Sequence, residues 1–145
     1  HILPESIKQI PVSFPALQVL NLGHTVLTDK ALAPVAKCSQ LEQLEISANP
    51  GITDGAIPHL MALKKLKRLD LESTAITSKG LLKLAALKDL KVVVADASSV
   101  NTSEAALLKK QMPGVIMRLV MKRNRNEDNE EIKSIFAPMS RDRGL

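Results

Sequence analysis

The stretch Leu66-Lys67-Arg68-Leu69-Asp70-Leu71-Glu72-Ser73-Thr74-Ala75-Ile76-Thr77-Ser78-Lys79-Gly80-Leu81 decides the fold, because close copies of it recur on both sides. Aligning the first leucine of each copy gives Leu17, Leu41, Leu66 and Leu90, at steps of 24, 25 and 24 residues. A fixed period of this length marks a stack of like coils, each burying its apolar side against its neighbours. Ile116, Leu119 and Met121 read as a fifth, degenerate copy, one slightly longer step beyond Leu90.

Within a copy the apolar residues stand at positions one, four and six, as in Leu41, Leu44 and Ile46 or Leu66, Leu69 and Leu71. Leu17, Leu20 and Leu22 repeat the pattern, as do Leu90, Val93 and Ala95. Their alternation predicts a short strand with one buried face. Three residues further on stand Thr25, Asn49, Thr74 and Ser98, polar side chains able to hydrogen-bond the backbone of adjoining coils. Leu27-Thr28-Asp29, Ile52-Thr53-Asp54, Ile76-Thr77-Ser78 and Val100-Asn101-Thr102-Ser103 follow, each joining an apolar plug to a hydroxyl or carboxylate suited to capping a helix. The helices are expected to bury Leu32 with Val35, Ile57 with Leu60, Leu81 with Leu84 and Leu87, and Ala106 with Leu107. Asn49-Pro50-Gly51 accommodates the one-residue insertion of the second unit in a turn.

At 145 residues, 45% of them hydrophobic and 1% aromatic, the chain suits one domain whose small aliphatic side chains stack in layers. No apolar run reaches the roughly 18 residues of a membrane span. Cys38 is the single cysteine, so no intrachain disulfide forms. The sequence opens on His1 rather than methionine, which leaves a removed targeting segment or further repeats open.

On these residues the chain resembles the leucine-rich-repeat family over about residues 14 to 121, and within it the ribonuclease-inhibitor-like and cysteine-containing subtypes. Cys38-Ser39-Gln40-Leu41 matches the Cys-x-x-Leu step of the cysteine-containing subtype, and Ile52-Thr53-Asp54-Gly55-Ala56-Ile57 follows its Ile-Thr-Asp-x-Gly-Leu step imperfectly. The resemblance implies an α/β solenoid, a right-handed βα coil with a parallel sheet on its concave face and helices outside. Residues 1–13, which include Leu3-Pro4-Glu5-Ser6-Ile7, then resemble the helical half of a preceding repeat or an N-terminal cap. Residues 14–121 hold four clear units and the degenerate terminal strand, and residues 122–145 form a charged tail able to cap the stack. Extracellular members of the family usually carry disulfide-bonded caps, so the lone cysteine points to an intracellular, cytoplasmic setting.

The family binds proteins on the concave face, which directs attention to the residues alternating with the buried leucines. One expected column runs Val19, Gln43, Arg68, Val92 and Arg118, the next Asn21, Glu45, Asp70, Val94 and Val120, and the third Gly23, Ser47, Glu72, Asp96 and Lys122. Glu45, Asp70, Glu72 and Asp96 thereby gather near the middle of the sheet. They read either as a solvated face or as an acidic stripe for a basic protein partner, with Arg68 available to a carboxylate in return. Val92, Val94 and Val120 form an apolar patch beside Arg118, which needs cover from Ile132, Ile135 and Phe136 of the tail or from a partner.

The net charge of +5 resides largely on lysines of the helical side, Lys79, Lys83, Lys88, Lys109 and Lys110 among them. Spread over several coils without aromatic rings to stack bases, they read as a solubilising surface and argue against a nucleic-acid site. His1, His24 and His59 fall on the terminus, a turn and a helix, and Cys38 takes a packing position, so no metal site, cofactor, small-molecule substrate or enzymatic constellation is expected. The sequence thus points to a protein–protein interaction module, or alternatively to a structural subunit or assembly factor of a larger complex.

Overall fold

A computed structural model describes residues 4–121 and 135–136. Helix α1 (Pro4–Ser13) is followed by β1 (Val19–Asn21), α2 (Leu32–Val35), β2 (Gln43–Glu45), α3 (Ile57–Leu60), β3 (Arg68–Asp70), α4 (Ser78–Lys83), β4 (Val92–Asp96), α5 (Thr102–Gln111) and β5 (Ile116–Val120). The five strands form one parallel sheet in sequence order, with Val19 beside Gln43, Gln43 beside Arg68, and Arg68 beside Val92. Sequential parallel strands require a crossover on one side of the sheet, and α2 to α5 supply it. The helices of the central coils are short: 3-10 turns at Asp29–Ala31 and Asp54–Ala56 lead into single turns at α2 and α3.

The repeat period becomes a set of core columns. Leu44, Leu69, Val93 and Met117 form one, Leu22, Ile46, Leu71 and Ala95 another, and Leu27, Ile52, Ile76 and Val100 a third, all buried. On the helical side Leu32, Ile57, Leu81 and Ala105 align, as do Val35, Leu60, Leu84 and Leu108. Cys38 stands in line with Leu63, Leu87 and Met112 and is buried with them, so it packs as a small apolar side chain. Burial pushes its thiol pKa up, because the thiolate loses hydration there.

Polar side chains tie the coils together where the chain leaves the sheet. Asn49 is buried and donates from Nδ2 to the carbonyls of Leu22, Ile46 and Ser47 at 2.9, 3.0 and 3.1 Å, while its Oδ1 accepts the Leu27 N–H at 2.8 Å. Thr25 and Thr74 make the local part of this contact, to Leu22 O at 2.6 Å and Leu71 O at 2.7 Å, and Thr25 adds a long bond to Asn49 Oδ1 at 3.5 Å. Ser98 departs from the expected column: it is exposed, inside a 3-10 turn spanning Ala97–Ser99. The reason lies one residue earlier. His24, Ala48 and Ser73 occupy the same place in their coils and adopt left-handed φ of 57°, 53° and 57°, which turns the chain off the sheet. Ala97 at that place does not, so β4 runs on to Asp96.

A second set of bonds runs along the helix starts. Asp29 accepts the Thr53 N–H and hydroxyl at 2.7 and 2.6 Å, and Asp54 accepts those of Thr77 at 2.8 and 2.5 Å. The carboxylate expected to cap its own helix therefore fixes the next coil instead. Thr28 and Thr77 make no side-chain cap bond, whereas Thr53 Oγ1 accepts from Gly55 N–H at 3.1 Å. A Cβ at Gly55 or Gly80 would fall inside contact distance of Asp29 Oδ2 or Asp54 Oδ1, so both positions take glycine. Ser78 has no carboxylate to offer the last coil; there Asn101 and Glu104 form a capping box, and Glu104 also accepts from Ser78 Oγ.

Two expectations for the last coil are corrected. Helix α5 buries Ala105 and Leu108, one period after Leu81 and Leu84, while Ala106 is exposed and Leu107 is 40% exposed. The fifth strand is also out of its expected phase. Met112 fills the place of Leu87, and Val115 N–H donates to Met112 O at 3.1 Å as Leu90 N–H does to Leu87 O. Val115 thus leads the coil, and Met117 and Leu119, rather than Ile116, Leu119 and Met121, pair with the core residues Val93 and Ala95.

Candidate protein-binding face

The corrected register rewrites the right-hand half of the concave columns. They run Val19, Gln43, Arg68, Val92, Ile116 and Asn21, Glu45, Asp70, Val94, Arg118, while Val120 pairs with Asp96. Arg118 therefore neighbours Val94 rather than Val92, and Val120 neighbours Asp96 rather than Val94. Lys122 and Ile132 lie outside the described residues.

The four carboxylates prove unequal. Glu45 is held by its neighbours, Oε2 accepting from Asn21 Nδ2 at 2.9 Å and Oε1 from Ser47 Oγ at 3.2 Å. Asp70 Oδ1 accepts the Glu72 N–H at 3.0 Å, closing a tight turn at the end of β3. Asp96 is buried and accepts the Ser73 N–H at 3.2 Å, bracing the left-handed turn of the adjacent coil. Among the described residues Glu72 has no hydrogen-bond partner for its side chain; it is half-buried, and so is Arg68 on the first column. Glu45, Asp70 and Asp96 thus have structural tasks that sequence columns do not display.

The expected valine patch is likewise redistributed. Val94 is 6% exposed and is covered, although it stands outside the core cluster and faces the concave side. Val92 and Val120 are half-buried. Ile116, expected to point inward, is 58% exposed beside Val92, with Arg118 exposed two residues on. Sequence reasoning missed Ile116 because Ile116-Met117 fits either phase; Met112, one repeat period after Leu87, was the signal that separates them.

Ile135 and Phe136 pack against the core at the end of the stack, where Phe136 shares a groove with Met112, Pro113 and Met117, and Lys109 Nζ donates to Ile135 O at 2.7 Å. The lysines of the helical side include Lys67, paired with Glu42 at 2.9 Å, and Lys65, donating to Gln40 at 2.7 Å. Both contacts are largely exposed and contribute little to stability. Among the described residues no group of three or more His, Cys, Asp or Glu converges as metal ligands, and no helix is long and apolar enough to cross a membrane.

Chemically, this face offers fixed acceptors, the guanidiniums of Arg68 and Arg118, and exposed Ile116 beside half-buried Val92, on a backbone held by the ladder. Residues 62–85 match the sequence family described as Leucine Rich repeat. No curated protein matches the sequence. Two solved structures share the fold: leiomodin-1 actin-binding site 2, with a TM-score of 0.64 at 15% identity over 94% of this chain and 88% of that one, and the tropomodulin C-terminal domain of Caenorhabditis elegans, with a TM-score of 0.63 at 14% identity over 93% and 92%. With its regular repeat of strand, turn and helix and its five in-order parallel strands, the chain has a leucine-rich-repeat fold, and its residues 62–85 match the Leucine Rich repeat family itself.

Proposed function

We propose that this chain is a protein-interaction module that takes a protein partner on its concave face and carries out no chemistry of its own. The observation that carries the reading is exposed Ile116 beside Val92, set on the same ladder as Arg68, Asp70 and Glu72. An exposed isoleucine beside a half-buried valine, flanked by charges, suits a small anchored interface better than bulk solvent. The backbone beneath is already ordered, so association costs less conformational entropy than a loop would. Asp70 and Glu72 favour a basic group on the partner, and Arg68 a carboxylate. The same reading puts the chain inside the cell, where a single buried thiol needs no disulfide.

Leiomodin-1 actin-binding site 2 has the same fold, so a stack of this size carries a protein interface in that molecule. The likeness is one of fold, and purified actin therefore enters the experiment as one probe among captured partners. A photo-crosslinking residue placed at Arg68 is compared with one at exposed Lys83 on the helical side. The partner crosslinked from position 68 is then titrated against wild type, Ile116→Asp and Glu72→Lys. Each substitution is expected to weaken binding about tenfold or more, equivalent to ~1.4 kcal/mol. Crosslinking from position 83 alone, or equal affinity for all three proteins, overturns the reading.

A further inference from the structure

Helix α1 keeps the phase of the coils that follow it. Ile7 stands one repeat period ahead of Leu32 and Ile10 one period ahead of Val35, the spacing that also separates Leu32 from Ile57 and Val35 from Leu60. Ile7 is buried as fully as those residues, Ile10 packs on the core, and α1 lies against α2. In each later coil a strand precedes the first buried helix residue at a nearly constant distance: Val19 before Leu32, Gln43 before Ile57, Arg68 before Leu81, Val92 before Ala105. Helix α1 thus provides the helical wall of a coil, yet β1 is the edge of the sheet.

That edge is unfinished on the strand side. Glu42 and Gln43 N–H donate back to Gln18 O at 2.8 and 2.9 Å, and Lys67 and Arg68 N–H donate back to Glu42 O at 2.8 and 3.0 Å. The equivalent amides, those of Gln18 and Val19, meet no carbonyl among the described residues. Among those residues Val12, Phe14, Val19 and Val26, most of the exposed large apolar side chains, gather at this end of the stack. The opposite end has Ile135 and Phe136 packed on its core. A free strand edge lined by apolar residues is a template for another strand.

We propose that the β1 edge docks a further parallel strand of the same polypeptide, one repeat period ahead of β1 and with the apolar pattern of the other strands. Its carbonyl accepts the Gln18 and Val19 amides as Gln18 O accepts those of Glu42 and Gln43, and its outward residue flanks Val19. A strand from another molecule supplies the same hydrogen bonds but gives no cause for the phase of α1, which a strand joined upstream at the usual strand-to-helix distance imposes. The proposal rests on the edge and on α1, and it stands or falls separately from binding on the concave face.

The test is hydrogen exchange with residue resolution on the polypeptide purified intact from its own cell, its N-terminal sequence read alongside, against the chain of residues 1–145. The expected result is a Leu-x-x-Leu-x-Leu run one period ahead of Leu17 and exchange at Gln18 and Val19 slowed about 100-fold, to within about tenfold of Glu42 and Gln43. A polypeptide without that run overturns the proposal, as does one that carries it while Gln18 and Val19 exchange as fast as in the shorter chain. Protection of the shorter chain that grows with its own concentration assigns the edge to self-association and also overturns it.

Discussion

The coil of β2 and the coil of β4 begin alike, with buried Leu41 and Leu44 in one and Leu90 and Val93 in the other, and then diverge where each strand ends. After β2, Ala48 takes left-handed φ and Asn49 turns inward to bind four backbone groups of two coils. After β4, Ala97 and Ser98 enter a 3-10 turn, the strand continues to Asp96, and its pairing with β5 extends from Val92 through Asp96. The left-handed turn at Ala48, held by Asn49 behind it, thus separates a coil that leaves the sheet on schedule from one that lengthens it. The longer strand pair is what buries Val94 and Asp96, and Ile116 stands exposed on it.

Removing the clamp should have the largest effect. Asn49→Ala leaves the Leu27 N–H and the Ile46 carbonyl without their side-chain partner in a buried place, while Leu22 O keeps Thr25 Oγ1, and unsatisfied groups of this kind cost ~1–3 kcal/mol each. Urea denaturation should record a loss of about 3 kcal/mol or more, whereas Ser98→Ala at the corresponding place should stay within ~0.5 kcal/mol. Equal effects at the two sites would erase the contrast between the coils.

Gly80→Ala comes next. Replacing glycine by alanine inside a helix ordinarily gains ~1 kcal/mol, but here the methyl meets Asp54, so a loss of about 1–2 kcal/mol is expected. In an Asp54→Ala background the same substitution should be neutral or stabilising in thermal unfolding, which isolates the carboxylate as the cause.

Ala48→Gly relieves a left-handed backbone and should raise stability by ~1 kcal/mol, measured by urea, while Ala97→Gly should lower it slightly because Ala97 is not left-handed. Smallest of the stability effects is that of Cys38. Its folded pKa is raised above the ordinary thiol value of about 9.0, so the folded state holds its proton longer than the unfolded one. The resulting contribution is present below that value and is lost as pH rises through the folded pKa. Alkylation of Cys38 in the folded chain should accordingly be slower than in urea at the same pH.

The strands of the first four coils, and the columns they carry, were legible because a single period forces every leucine of Leu66–Leu71 onto the place of its neighbours. The same reasoning failed where local apolar residues were followed in place of the period. At Ala106 and Leu107 the apolar neighbours mislead, because the period places Ala105 and Leu108 on the core after Leu81 and Leu84. At Ile116 two apolar neighbours allow either face, and the choice falls to Met112 packing in the place of Leu87. The candidate face was legible as columns but not as chemistry, because nothing in the spacing of Glu45, Asp70 and Asp96 reveals that Asn21, Ser47, Glu72 N–H and Ser73 N–H already bind them.

The long β4–β5 pair and the regular β1–β3 ladder therefore offer a partner different surfaces, apolar on one side and acidic on the other. Backbone amide and methyl NMR of the labelled chain, titrated with the partner crosslinked from position 68, tests directly whether that composite surface is the interface. The account predicts shifts and intermolecular contacts at Arg68, Glu72, Val92, Ile116 and Arg118, with Lys79, Lys83 and Lys88 unmoved. Shifts confined to the helical side, with the Val92 and Ile116 methyls unchanged at saturation, would contradict it.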